Sequence, residues 1–162
     1  MIFGKKRQLL AVGVQVSDLR LPRLDGGETT LREISSQGPA LVAFFKVNCP
    51  VCQLTFPYLE RIQSPGRLAV YGISQNNPLD TRDFNRKFGV TFPTLLDTER
   101  GGFPVSNAFG ISSVPTIFLL ERDGTISRVI EGWHKSEIQH LGAQAGVNPF
   151  HAGDSVPDWK AG

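Results

Sequence analysis

Ala40-Leu41-Val42-Ala43-Phe44-Phe45-Lys46-Val47-Asn48-Cys49-Pro50-Val51-Cys52 is the stretch on which the reading of this chain turns. Its first six residues are a continuous apolar run, the pattern of a strand buried on both faces. Pro50 suits the first position of a helix, where an amide proton has no intrahelical partner anyway. The helix reads on from Gln53 to Ile62. The two cysteines, the only ones in 162 residues, therefore sit where a strand gives way to a helix. Two thiols at this spacing close a small disulfide ring, and the positive end of the helix stabilises a thiolate at Cys49. That arrangement points to dithiol–disulfide exchange. Cys49, at the mouth, is expected to be the attacking thiolate and Cys52, one turn inside, the resolving thiol. Pro50 leaves the amides of Val51 and Cys52 free to point at the Cys49 sulfur. Lys46, three residues upstream, is placed either to lower the Cys49 pKa electrostatically or simply to end the strand in solvent.

Other uses of a cysteine pair fit less well. A structural zinc site needs four ligands. There is no second cysteine pair, and His134, His140 and His151 all lie at least 80 residues further on. An inert staple closing so short a loop removes little chain entropy.

Outward from the cysteines, strands and helices alternate. Asp18 to Leu21 and Thr29 to Leu31 flank a Leu24-Asp25-Gly26-Gly27 turn, which suggests a hairpin ahead of the core. Leu68 to Ile73 reads as a second buried strand. Pro78 to Phe88 reads as a helix with Phe84 and Phe88 on one face and Gly89 as its stop. Thr94 to Leu96 is a short strand, Pro104 to Phe109 a short helix ended by Gly110, and Thr116 to Leu120 another buried strand. Arg122-Asp123-Gly124 turns that strand into an antiparallel partner, Ile126 to Ile130. Ser136 and Gln139 form a capping box for a last helix carrying Ile138, Leu141 and Ala145 inward. Alternation of this kind implies an α/β fold with helices on both faces of the sheet. The expected organisation is an N-terminal extension over 1–11, one domain over 12–146, and a non-helical tail over 147–162.

Composition is that of an ordinary globular protein, 40% hydrophobic and 20% charged. The net charge of +2 with interspersed signs argues neither for nucleic acid nor for a membrane surface as partner, and none is expected. No run approaches the ~20 apolar residues of a membrane span. Lys5-Lys6-Arg7 before Leu9 to Gly13 briefly resembles a secretory signal. Gln15 interrupts it before a full apolar region develops, so the expectation is a cytoplasmic protein, or a periplasmic one if a signal sequence has been removed.

Three blocks of residues resemble the thioredoxin superfamily, and within it the redoxin group of thiol–disulfide oxidoreductases and peroxiredoxins. Val42 to Pro57 is similar to the family's strand–C-x-x-C–helix, with Pro57 where that helix is kinked. Gly110 to Gly124 is similar to its second hallmark, Val114-Pro115-Thr116 standing at the cis-proline loop that faces the cysteines. Gly13 to Glu33 is similar to the redoxin N-terminal hairpin. The resemblance implies a thioredoxin-like three-layer sandwich: a mixed central sheet flanked by helices, an N-terminal β-hairpin, and an inserted helix–strand unit. That unit is the surplus in the 62 residues between Cys52 and Pro115. Ser74 to Asn77 is expected to border the site, with the Asn76 and Asn77 side chains adding little to stability. The resemblance further implies that Val114, Pro115 and Thr116 contact substrate, Val114 through its backbone. The expected activity is reduction of protein disulfides by the Cys49–Cys52 dithiol, recharged by an upstream thiol donor, in a monomer without metal or other cofactor.

Two departures bear on mechanism. Ala43 stands where many thioredoxins carry a buried Asp, so proton relay would fall to Lys46 or water. No histidine lies between the cysteines, which favours a reducing couple over an oxidising one. The rival readings are a peroxiredoxin-like peroxidase and a metal carrier. The peroxidase would need Thr or Ser where Lys46 stands and Pro where Val42 stands. The carrier would hold copper or zinc between Cys49, Cys52 and a histidine such as His134.

Overall fold

The structure, a computed structural model, describes residues 8–63 and 67–162; Lys5-Lys6-Arg7 lie outside them. A short hairpin, β1 (Arg20–Pro22) and β2 (Glu28–Thr30), leads into a one-turn helix, α1 (Leu31–Ser35). Then come β3 (Ala40–Phe45), α2 (Pro50–Ile62), β4 (Ala69–Ser74), α3 (Pro78–Phe88), β5 (Thr94–Leu96), α4 (Pro104–Phe109), β6 (Thr116–Leu120) and β7 (Ile126–Glu131). The chain closes with β8 (Trp133–His134), α5 (Lys135–Ala145) and β9 (Trp159–Lys160). Five strands form the central sheet in the order β5-β4-β3-β6-β7. β3, β4 and β5 run parallel, while β6 and β7 are antiparallel to their neighbours. This is the mixed, thioredoxin-like sheet that the resemblance implies.

The apolar run explains why β3 is central. All six of its residues are buried, and successive side chains leave opposite faces. Phe45 meets Phe56 of α2 and Phe84 of α3 on one face, with ring centroids 4.3 and 4.9 Å away. Phe44 meets Phe109 of α4 at 5.1 Å and Phe118 of β6 at 5.9 Å on the other. Both sheet edges are covered, which removes exposed pairing groups. The hairpin lies against β5 through an Arg23–Leu95 bridge and the Leu24 amide donating to Thr94. Residues 13–16 run along β7, with Gly13 and Ile126, then Val16 and Gly124, joined by backbone bonds.

Two local expectations are corrected. Leu31 is not the end of a hairpin strand but the first residue of α1, because Thr30 and Glu33 form a reciprocal capping box there. Ser136 does not open the last helix. α5 begins at Lys135, two residues earlier than that cap implies, after His134, whose side chain makes no cap bond. The Lys135 amide donates instead to the Asp158 carbonyl, 2.9 Å away in the tail. Backbone from a distant segment has replaced the local cap.

Candidate active site

β3 ends at Phe45, and its register with β6 pairs Phe44 with Thr116. The loop after β3 and the loop before β6 therefore meet at one end of the sheet. Cys49 is the N-cap of α2, its sulfur accepting from the Cys52 amide at 3.1 Å. Pro50 follows at the first helical position, so the nucleophile candidate takes the place that a Ser or Asp cap commonly fills. Both thiols are free; Cys49 is part-exposed and Cys52 is buried.

That difference in burial separates them chemically. Hydrogen bonding from the Cys52 thiol and from the Cys52 and Val51 amides brings the Cys49 pKa down to about 6. Burial opposes this, and Lys46 is the smallest of the lowering causes. Cys52 is pushed far up, first by burial and then by its hydrogen bond to Cys49. One sulfur is thus a thiolate near neutrality and the other a protonated donor.

Val114–Pro115 is a cis peptide, and the Cys49 sulfur lies 3.4 Å from the Val114 carbonyl oxygen, to which it donates only when protonated. Thr116 is buried, and its hydroxyl donates to the Ser113 carbonyl at 2.8 Å, closing the loop from inside. Val51 lies beside the thiols on the first turn. Pro57 lies inside α2, which continues through it to Ile62. Lys46 is exposed, Ala43 fully buried.

The loop after β4 serves structure as well as place. The Asn76 side-chain oxygen accepts from the Val47 amide at 3.0 Å, and Asn77 caps α3 by accepting from Asp80 at 2.9 Å. Both side chains thus make hydrogen bonds that alanine would remove, which argues against the expectation that they add little to stability. The sequence reading also missed Asp97. Its buried carboxylate accepts from the amides of Val105 at 3.0 Å and Ser106 at 2.6 Å, fixing the start of α4. An acidic residue after a strand and ahead of a Pro-initiated helix was the available signal. Among the described residues no three His, Cys, Asp or Glu side chains come together in a ligating group. His134, the carrier's third ligand, instead has its Nε2 2.9 Å from the Glu131 carbonyl.

Comparison with known proteins follows the same lines. The model of the AhpC/TSA family matches residues 12–129. The thiol-disulfide oxidoreductase ResA of Geobacillus thermodenitrificans is 30% identical over 146 residues, covering 86% of this chain and 81% of that protein. A putative protein disulfide isomerase from Bacteroides thetaiotaomicron superposes with a TM-score of 0.73 at 22% identity, over 85% of this chain and 89% of that one. A putative thiol:disulfide interchange protein DsbE from Chlorobium tepidum gives 0.72 at 21% identity, over 83% and 95%.

Proposed function

Because the chain belongs to the AhpC/TSA family, we propose that its thiol–disulfide oxidoreductase activity is the reduction of protein disulfides by the Cys49–Cys52 dithiol. The observation that carries this is the split between the two sulfurs: a part-exposed Cys49 near pKa 6 beside a buried, protonated Cys52. The Cys49 thiolate attacks one sulfur of a substrate disulfide. That S–S bond breaks, a mixed disulfide forms, and the departing substrate thiolate takes a proton from water. Cys52 then gives up its proton to water, which returns one to the departing second thiolate, and attacks the Cys49 sulfur. The second substrate thiol leaves, and two electrons have passed to the substrate. An upstream dithiol of matching class restores the reduced pair.

The direction follows from thiolate stability. A more stable thiolate makes the reduced form more stable and the couple more oxidising. A pKa of about 6 lies nearer to thioredoxin, with a pKa of about 7 and a potential of about −270 mV, than to DsbA, at about 3.5 and about −120 mV. A reducing couple, in the lower half of that interval, is the expected result of a glutathione-redox titration. A potential near that of DsbA would reverse the direction. Cys52→Ser should accumulate a mixed disulfide with a model protein substrate, and Cys49→Ser should trap none. Trapping by the Cys49→Ser variant would overturn the assignment. Among the described residues no helix is long and apolar enough to cross a membrane.

A further inference from the structure

Residues 157–162 do not hang free. β9 pairs antiparallel with β8, Trp133 opposite Lys160 and His134 opposite Trp159. The Trp133 indole N–H donates to the Pro157 carbonyl at 2.6 Å, and the Lys135 amide to the Asp158 carbonyl at 2.9 Å. Beyond β9 the backbone crosses Gly132 and reaches the loop that faces Cys49. Two glycines record how close that approach is. Gly132 has φ +76°, and a Cβ there would strike the Lys160 carbonyl and stand 3.0 Å from the Gly162 nitrogen. A Cβ on Gly162 would stand 2.5 Å from the Val114 carbonyl oxygen. That oxygen is the one 3.4 Å from the Cys49 sulfur. The Gly132 amide in turn donates to the Pro115 carbonyl at 2.8 Å, so the backbone of the tail, of Gly132 and of Val114–Pro115 comes together beside the nucleophile.

We propose that residues 157–162 of this chain occlude the backbone groove beside Val114, where the family resemblance places substrate, until a disulfide-bearing polypeptide displaces them. This rests on the oxidoreductase reading above and names how its partner is admitted. Backbone-lined edges bind extended peptides by main-chain pairing, which the chain's own tail already imitates. Trp159 is 57% exposed, its ring meeting the edge of His134 with centroids 6.4 Å apart, so the segment is held through its backbone rather than by a buried side chain of its own. An intramolecular occupant lowers a partner's apparent affinity by the fraction of molecules whose groove is open. Cys49 itself stays part-exposed, so a compact disulfide reaches it without moving the tail. The exchange chemistry is unchanged; selection falls on partners that pair well enough to win the groove.

The test compares two probes on the full chain. One is a short extended peptide carrying a mixed disulfide with 2-mercaptoethanol, the other the symmetric disulfide of 2-mercaptoethanol. Gly162→Val forces the tail off the Val114 carbonyl, and Lys160→Pro breaks the β8–β9 pair. Both variants should lower KM for the peptide roughly five-fold or more while leaving the small disulfide's rate within about two-fold. Faster exchange of the Lys135 amide proton reports undocking in Lys160→Pro. An unchanged or higher peptide KM in that undocked variant overturns the proposal. A serine analogue of the peptide, unable to exchange, is titrated in parallel against the Val114 and Gly132 amide resonances. It should bind more tightly to both variants, and equal affinity overturns the proposal as well. Absence of turnover of either probe by the wild type would instead sink the oxidoreductase reading, and the titration would still judge the groove.

Discussion

A cysteine thiol in water ionises near pH 8.5. Cys49 departs from this because its sulfur caps a helix and accepts hydrogen bonds, and the charge of a nearby lysine has little part in it. Alkylation of Cys49 should therefore rise with a midpoint at about pH 6 and be flat by about pH 8, with Cys52 unreactive throughout. Lys46→Ala should move that midpoint only slightly; a large shift would show that charge rather than hydrogen bonding governs it. The same depression has a consequence for stability. The folded pKa of Cys49 lies below its unfolded value, so its contribution is complete above about pH 8.5 and is lost as pH falls through about 6. The reduced protein should melt at progressively lower temperature across that interval. Cys49→Ser should remove that component of the slope, and an identical pH slope in the variant would contradict the account. Cys52 does not offset this, since its raised pKa acts only above the unfolded value.

At the scale of elements, polar side chains position the helices that frame the site. Asp97 holds two amides at the start of α4 from a buried position. Asp97→Ala leaves those donors without a partner and should cost about 2–3 kcal/mol in a denaturant titration. Asn77→Ala removes an exposed cap of α3 and should cost about 1 kcal/mol. Phe84 joins α3 to Phe45 and Phe56 beneath the cysteine helix. Truncation to Ala opens a cavity and should cost about 3–5 kcal/mol. The inserted helix–strand unit thus enlarges the core on the face that supports α2. An Asp97→Ala protein as stable as wild type would show that α4 is held by apolar packing alone.

For the whole molecule, the governing feature is a mixed sheet whose parallel and antiparallel halves meet at β3. The parallel half delivers the end of β3 and the loop after β4 to one rim, and antiparallel β6 starts at that same rim. The site is assembled there from loops far apart in sequence. A second seam, along Trp133, ties the tail to the core. Its ring is fully buried and packs on Tyr58 of α2 at 5.1 Å and on Phe150 at 6.5 Å. Trp133→Ala should cost about 3–5 kcal/mol and also loosen residues 147–162, read as faster proteolysis of the tail than of the core. Uniform proteolysis along the chain would argue that the tail is held independently of Trp133.

What was legible in the sequence was whatever rests on local chemistry. An unbroken apolar run reads as a buried strand because burial on both faces excludes polar residues, and Pro50 after Cys49 reads as a helix start because proline tolerates no other helical position so well. Pro78–Phe88, Thr94–Leu96, Pro104–Phe109 and Thr116–Leu120 were legible for the same reason: proline or glycine bounds each helix, and apolar β-formers fill each strand. Contacts between distant segments were not legible. The cap of α5 comes from Asp158, and the segment lying against the Val114 carbonyl comes from residues 160–162. Asp97 looks in sequence like any surface acid until folding sets two amides before it. Only the tertiary structure decides such matters, because backbone hydrogen-bonding groups are alike in every residue. Which of them meet depends on how the sheet brings separate stretches of chain together.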